Sequence, residues 1–287
     1  MKVGRKKGIG VNIIIESVLV ITVIVLLFPV LFMVINSFLG SKEILSSYGG
    51  ILSGSNLQVH FHLIPEEATL EGYGEVFLMT PAYLIKFWSS LFLSVSIVLG
   101  QVMVSCISGY GLAKFHFPMK NEIFYLVIIL MMMPTQVLMV SQYPVLSSMG
   151  LIGSYFALIL PGAFAAFGIF LMTQVFSYVP NEILEAAKID GAGHFQILLR
   201  IMIPCSNMGI ASLVILSFID NWNMVEQPIV FLKESYQYPL SVFLSSINTN
   251  RLDLAFVCGV LTIVPAMILY LFLKDALILG IENASFK

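Results

Sequence analysis

The chain has 287 residues, 59% of them hydrophobic and 10% charged, with a formal net charge of −2. Soluble domains carry about 25% charged residues, so this composition excludes an ordinary soluble fold and points to a membrane protein. The near-neutral balance gives no reason to expect nucleic-acid binding.

Charge-free intervals set the expected spans, because about 20 apolar residues cross a bilayer. The first covers 17–41, and its apolar run exceeds a signal-peptide core with no small-residue cleavage pattern after it, so it reads as a retained span. The second covers 87–113. The interval 123–181 is too long for one helix and divides around Ser147, Gly150, Gly153 and Ser154, giving spans near 123–143 and 155–176. The fifth and sixth run over 201–219 and 254–273. Pro29, Pro134, Pro161 and Pro265 fall within or near these helices and favour kinks. Met131 to Met133 form a soft apolar patch before Pro134, which suits either gating or plain packing.

Six spans with both termini in the cytoplasm put ten Lys and Arg inside against four outside, the positive-inside arrangement. The longest outer excursion, 38–83, carries Glu43, Glu66, Glu67, Glu71 and Glu75. His60 and His62 lie in it two residues apart without a third ligand, so they read as solvated. Cys106, Cys205 and Cys258 lie in or beside apolar stretches without paired spacing, which argues against disulfides and metal. No catalytic, metal or cofactor site is expected.

Between Pro180 and Pro204 the chain reads PNEILEAAKIDGAGHFQILLRIMIP, a charged island between apolar stretches. Glu182, Glu185, Lys188, Asp190, His194 and Arg200 place it at a membrane surface, on the inner side by the orientation above. Asn181 is a candidate cap, Glu182 and Glu185 suit the positive first turns of a helix, and Gly191 and Gly193 can end it. Ile183, Leu184 and Ala187 would share one face, small enough for a partner's cleft.

E-A-A-x-x-D-G-A, from Glu185, Ala186, Ala187, Asp190, Gly191 and Ala192, followed by Ile203-Pro204, resembles the EAA loop of bacterial ABC importer permeases. In that family the loop docks as coupling helices onto a cytoplasmic ATPase, which implies an ATPase-coupling role for Glu182, Glu185, Ala186, Ala187, Asp190 and Gly191. Thr69–Phe77 resembles a T-L-x-N-Y-x-x-V-F segment of sugar-importer permeases, with Gly72 in place of Asn. GYGLAKFHFPMKN, residues 109–121, resembles their A-Y-x-L-A-R-x-x-F connection with Lys114 for Arg. Its expected role is anchorage at the membrane edge, with Pro118 turning the chain.

Asp220-Asn221-Trp222-Asn223 with Glu226 and Gln227 is the most unusual polar cluster, in the outer half of the fifth span. FIDNWN before Pro228 resembles the F-x-x-x-W-N segment of carbohydrate-uptake permeases. Intramembrane polar groups usually face a cavity or another protein. Asn221, Trp222, Asn223, Glu226 and Gln227 are thus candidate solute-path residues, or else polar glue between helices. If the helix continued, Trp222 with Glu226 and Asn223 with Gln227 would each share a face.

The expected fold is all-α: a polytopic protein with six transmembrane helices in the type I ABC importer permease fold. Residues 1–85 would hold the tail, first helix and external loop, and 86–280 the core domain with its loop at about 180–204. The resemblance implies a multi-pass bacterial cell-membrane subunit importing a carbohydrate. Its partners would be a second homologous permease, expected to form a heterodimer with it, two ATP-binding cassette subunits and an extracellular or periplasmic solute-binding protein. No G-x-x-x-x-G-K-[ST] occurs, so ATP hydrolysis is assigned to the partners. Two other readings are the same machine carrying a non-sugar solute, and a secondary transporter or channel.

Overall fold

The computed structural model describes residues 9–52, 65, 67–245 and 251–285, with side chains over 14–48, 65, 67–245 and 251–276. Lys2, Arg5, Lys6, Lys7, His60, His62, Glu66 and Lys287, which entered the charge and loop reading, lie outside the described residues.

Helices make up nearly all of it: α1 (Ile9–Asn36), α2 (Ser41–Leu52), α3 (Pro81–Lys114), α4 (Lys120–Met132), α5 (Thr135–Ser148), α6 (Phe156–Ala163) and α7 (Ala166–Ser177). They continue with α8 (Asn181–Ile189), α9 (His194–Cys205), α10 (Asn207–Trp222), α11 (Glu226–Phe231), α12 (Leu240–Ser245) and α13 (Leu252–Ser285). Among the described residues no sheet forms, and one isolated antiparallel bridge joins Leu39 to Ala68. Stretches Ile14–Asn36, Pro81–Lys114, Phe156–Ser177 and Leu252–Ala276 are long and apolar enough to span a bilayer. The bent pairs α4–α5 and α9–α10 each pass the same test when taken together, so the described residues hold four such spans, or up to the expected six with each bent pair counted as one.

Three span boundaries differ from the sequence reading. The third span is not one helix over 123–143, because α4 and α5 meet at 109° around Met133 and Pro134. Pro134 has no N–H to continue the ladder, and it holds Met133 extended at φ −73°, ψ 137°. The fifth begins at His194 instead of Ile201 and bends by 80° at Ser206, two residues after Pro204. The fourth breaks at Ala165, extended at ψ 127°, while Pro161 sits inside α6. Pro29 and Pro265 are likewise inside continuous helices.

The chain divides into two compact units, Met1–Pro81 with Ile247–Ile263, and Ala82–Ser246 with Val264–Lys287. In the first, Leu39, Ile44 and Tyr48 form a small core with Phe32, Leu252 and Phe256. The Tyr48 hydroxyl donates to Asn36 Oδ1 at 2.6 Å. Arg251 bridges Glu75 at 2.7 Å and Asp253 at 3.1 Å, and Ser41 Oγ donates to Asp253 at 2.8 Å. These two carboxylates, Asp253 first, hold the Arg251 guanidinium above its ordinary range, so it stays charged at any working pH.

The second unit has two hydrophobic clusters joined by α3. One gathers Leu93 and Ile97 of α3 with Met139, Leu146, Ala157, Leu158 and Phe231. The other gathers Cys106 and Tyr110 of α3 with Met172, Phe176, Leu184, Ile197, Met202 and Leu213. Without a hydrophobic driving force in lipid, helices associate through close backbone approach at small residues. A Cβ on Gly109 would lie 2.8 Å from Met172 Cβ and 2.9 Å from the Thr173 nitrogen, so α3 and α7 touch backbone to side-chain root.

Candidate functional site

Two regions of the second unit carry the candidate residues. The first is α8. Pro180 occupies the N-cap at φ −60°, ψ 140°, with Glu182 in the first turn and Lys188 in the last, matching the helix dipole. Asn181 does not cap: it is the first helical residue, and its Oδ1 accepts Lys114 Nζ at 2.9 Å.

The helix ends as a Schellman turn. Gly191 N–H donates to the Lys188 carbonyl at 3.0 Å and Ala192 N–H to the Ala187 carbonyl at 2.9 Å. This needs a left-handed residue at 191, and Gly191 supplies φ +82°. The next helix starts at once, with Gly193 N–H donating to Gln196 Oε1 at 3.1 Å.

Burial corrects the expected docking face. Leu184 is 5% exposed and packs inward, with Ala187 and Ala192 against the same cluster. Leu184 thus seats the helix on its own protein and is closed to a partner's cleft, whereas Ala187 is only half-buried. The outward side carries Glu182, Ile183, Glu185, Ala186 and Ile189, with Ile189 86% exposed.

The second region is a cavity of about 670 Å³, lined by residues of α3 to α7, α10 and α11 and their junctions. That volume lies in the usual range for small-molecule sites, about 300–1,000 Å³. Its polar lining includes Gln101, Thr135, Gln142, Ser217, Asp220, Asn221 and Gln227, against apolar Met131, Met133, Phe164 and Phe231.

A polar thread links α3 and α10. Ser217 Oγ donates to Gln101 Oε1, and Asn221 Nδ2 donates to the Ser217 carbonyl at 2.7 Å. A Cβ on Gly168 would lie 2.2 Å from Ser105 Oγ and 3.1 Å from Gln101 Nε2, so the missing side chain makes room for both.

The sequence cluster therefore divides. Asn221 and Gln227 line the cavity, together with Asp220. Trp222 is 3% exposed, stacked on Phe218 at 5.6 Å and edge-on to Phe87 at 5.7 Å, so its ring belongs to aromatic packing. Asn223 returns its amide to the Ile219 carbonyl at 2.8 Å, and Glu226 accepts Gln136 Nε2 at 2.8 and 3.1 Å. The i, i+4 faces do not form, because α10 stops at Trp222 and α11 starts afresh at Glu226. Gln101 and Ser217 are cavity residues the sequence reading missed; an amide in the middle of the charge-free 87–113 interval was the available signal.

A profile of the family described as binding-protein-dependent transport system inner membrane component matches residues 101–282. The arabinooligosaccharides transport system permease protein AraQ of Halalkalibacterium halodurans is 29% identical over 263 residues, covering 91% of each chain. The sn-glycerol-3-phosphate transport system permease protein UgpE of Brucella abortus is 26% identical over 275 residues, covering 94% of this chain and 95% of its own. Among solved structures, a chain of a bacterial ABC transporter that imports the acidic polysaccharide alginate superposes with TM-score 0.78 at 21% identity, over 96% of this chain and 99% of that one. The fold is thus that of an ABC importer permease, and the chain belongs to the family of binding-protein-dependent transport system inner membrane components.

Proposed function

We propose that this protein is one permease subunit of an ATP-driven carbohydrate importer, forming half of the translocation pore. The observation that carries the reading is α8: a short helix seated by Leu184, closed by Gly191, and presenting Glu182, Glu185 and Ala186 outward. A helix so held is a rigid peg for an ATPase subunit. Two such subunits hydrolyse the ATP, and this chain performs no bond chemistry. A second homologous permease completes the pore as a heterodimer, and an extracellular or periplasmic binding protein delivers the solute. Both termini face the cytoplasm, residues 1–85 form an N-terminal portion, and 86–280 form the core.

The cavity supports a carbohydrate as solute. Its amides and hydroxyls offer donors and acceptors to sugar hydroxyls, and its Met and Phe surfaces meet sugar CH groups. The names of AraQ and of the alginate transporter agree with this class. The lining carries a carboxylate, Asp220, and no cation, which favours a neutral saccharide over an anionic ester. Gln101, Ser217, Asn221 and Gln227 are the proposed solute contacts, with Asn223 and Glu226 at the margin of the same region. Reconstitution in proteoliposomes with a homologous permease, ATP-binding cassette subunits and a solute-binding protein tests the reading. ATP-dependent uptake of a neutral oligosaccharide supports it, and uptake without ATP assigns the chain to another transporter class.

A further inference from the structure

We propose that Lys114 is a positioning residue that makes the coupling helix move as one body with the second span. The proposal rests on the reading of α8 as the ATPase-docking helix. Lys114 Nζ donates to the Val179 carbonyl at 2.5 Å and to Asn181 Oδ1 at 2.9 Å, holding the chain where it leaves α7 and starts α8. The next residue reaches the other end of the loop: the Phe115 ring lies 4.9 Å from the His194 ring, just past the glycines that close α8. Phe115 is itself fixed, with Tyr110 edge-on at 5.2 Å and Lys120 Nζ on its carbonyl at 3.0 Å. Between these tethers, Leu184 and Ile197 sink into the cluster that includes Cys106 and Tyr110 of α3.

A lysine in a helix's last turn often does no more than offset its own helix dipole. That role does not account for Lys114, whose ammonium is committed to acceptors on a different segment. Nor is this simple anchorage at the membrane edge, since the bonded atoms belong to the protein. The same α3 carries Gln101 in the cavity, about 20 Å from Lys114 at about 1.5 Å per residue. One continuous helix thus joins the cavity residue Gln101 to the start of α8, and the residue after it, Phe115, reaches the far end. Displacement at either site reaches the other without a flexible joint, provided the Lys114 tether holds.

The test uses the assembled transporter in lipid nanodiscs, with the three native cysteines replaced. Nitroxide labels go at Ile107→Cys on the exposed side of α3 and at Lys188→Cys, an exposed position of α8 away from Ala186. Pulsed electron resonance then measures their distance with and without ATP and vanadate. With Lys114 the distribution is narrow and the same in both states. Lys114→Met keeps the apolar stem but removes both bonds; it broadens the distribution or shifts the mean between states, as loss of a charge-assisted bond raises the population of the untethered arrangement about tenfold or more. Lys114→Arg restores the narrow distribution. A Lys114→Met complex as narrow as wild type overturns the proposal, as does failure of Arg to rescue. If Lys114→Met does not assemble, Asn181→Ala removes one acceptor and decides the matter, with an unchanged width again overturning it. Co-purification of the ATPase with the unsubstituted protein is scored first; its absence defeats the docking reading itself, and the tether with it.

Discussion

Replacing Gly191 by alanine isolates the backbone demand at the end of α8. The position holds φ +82°, and a Cβ there would meet nothing within 4 Å, so an alanine methyl adds strain without any clash. The cost is that of one L-residue in the left-handed region, about 1–2 kcal/mol. If docking needs the closed turn, ATPase affinity falls by roughly 5- to 30-fold. Gly191→Asn falls less, since Asn tolerates this conformation. Gly193 provides the internal control: it is equally open to a Cβ but sits at φ −72°, so Gly193→Ala leaves affinity unchanged. The assay is titration of permease nanodiscs with labelled ATPase subunit. Equal losses at 191 and 193, or no loss at 191, would refute the link between the Schellman turn and docking.

Other consequences separate solute contact from packing. Asn221→Ala and Gln101→Ala should lower uptake or shift sugar preference while the ATPase stays bound, measured by transport in proteoliposomes; normal uptake of every sugar by both would move the site to the partner permease. Trp222→Ala instead removes a buried ring from Phe87 and Phe218, a loss of about 3–5 kcal/mol, read as a lower melting temperature with unaltered sugar preference. Gly168→Val forces a side chain onto Ser105 and Gln101, so thermal stability and uptake should fall together. For topology, an impermeant thiol reagent on intact cells should label Glu67→Cys and not His194→Cys, in a background lacking Cys106, Cys205 and Cys258; the reverse pattern inverts the orientation.

Much of this arrangement was legible in the sequence because hydrocarbon penalises charge. The intervals between charged residues gave the spans, and the charged island gave α8 and its glycine stop. Turn chemistry is local, so Gly191 could be recognised without tertiary information. Which side of α8 faces inward depends on a cluster assembled from four other helices, and no spacing rule told Leu184 from Ile183. The fate of Trp222 turned on Phe87, more than a hundred residues earlier, and on where α10 ends. The break at Ala165 had no strong local signature, whereas those at Pro134 and just after Pro204 did.

The central claim is that α8 docks on an ATPase subunit by the face carrying Ala186. Photo-cross-linking amino acids placed singly at Ile183, Leu184, Ala186 and Ala187, in the assembled transporter, test it directly. The account predicts ATPase adducts from 183 and 186, and adducts within the permease itself from 184 and 187. ATPase adducts from 184 and 187 with none from 183 and 186 would contradict it.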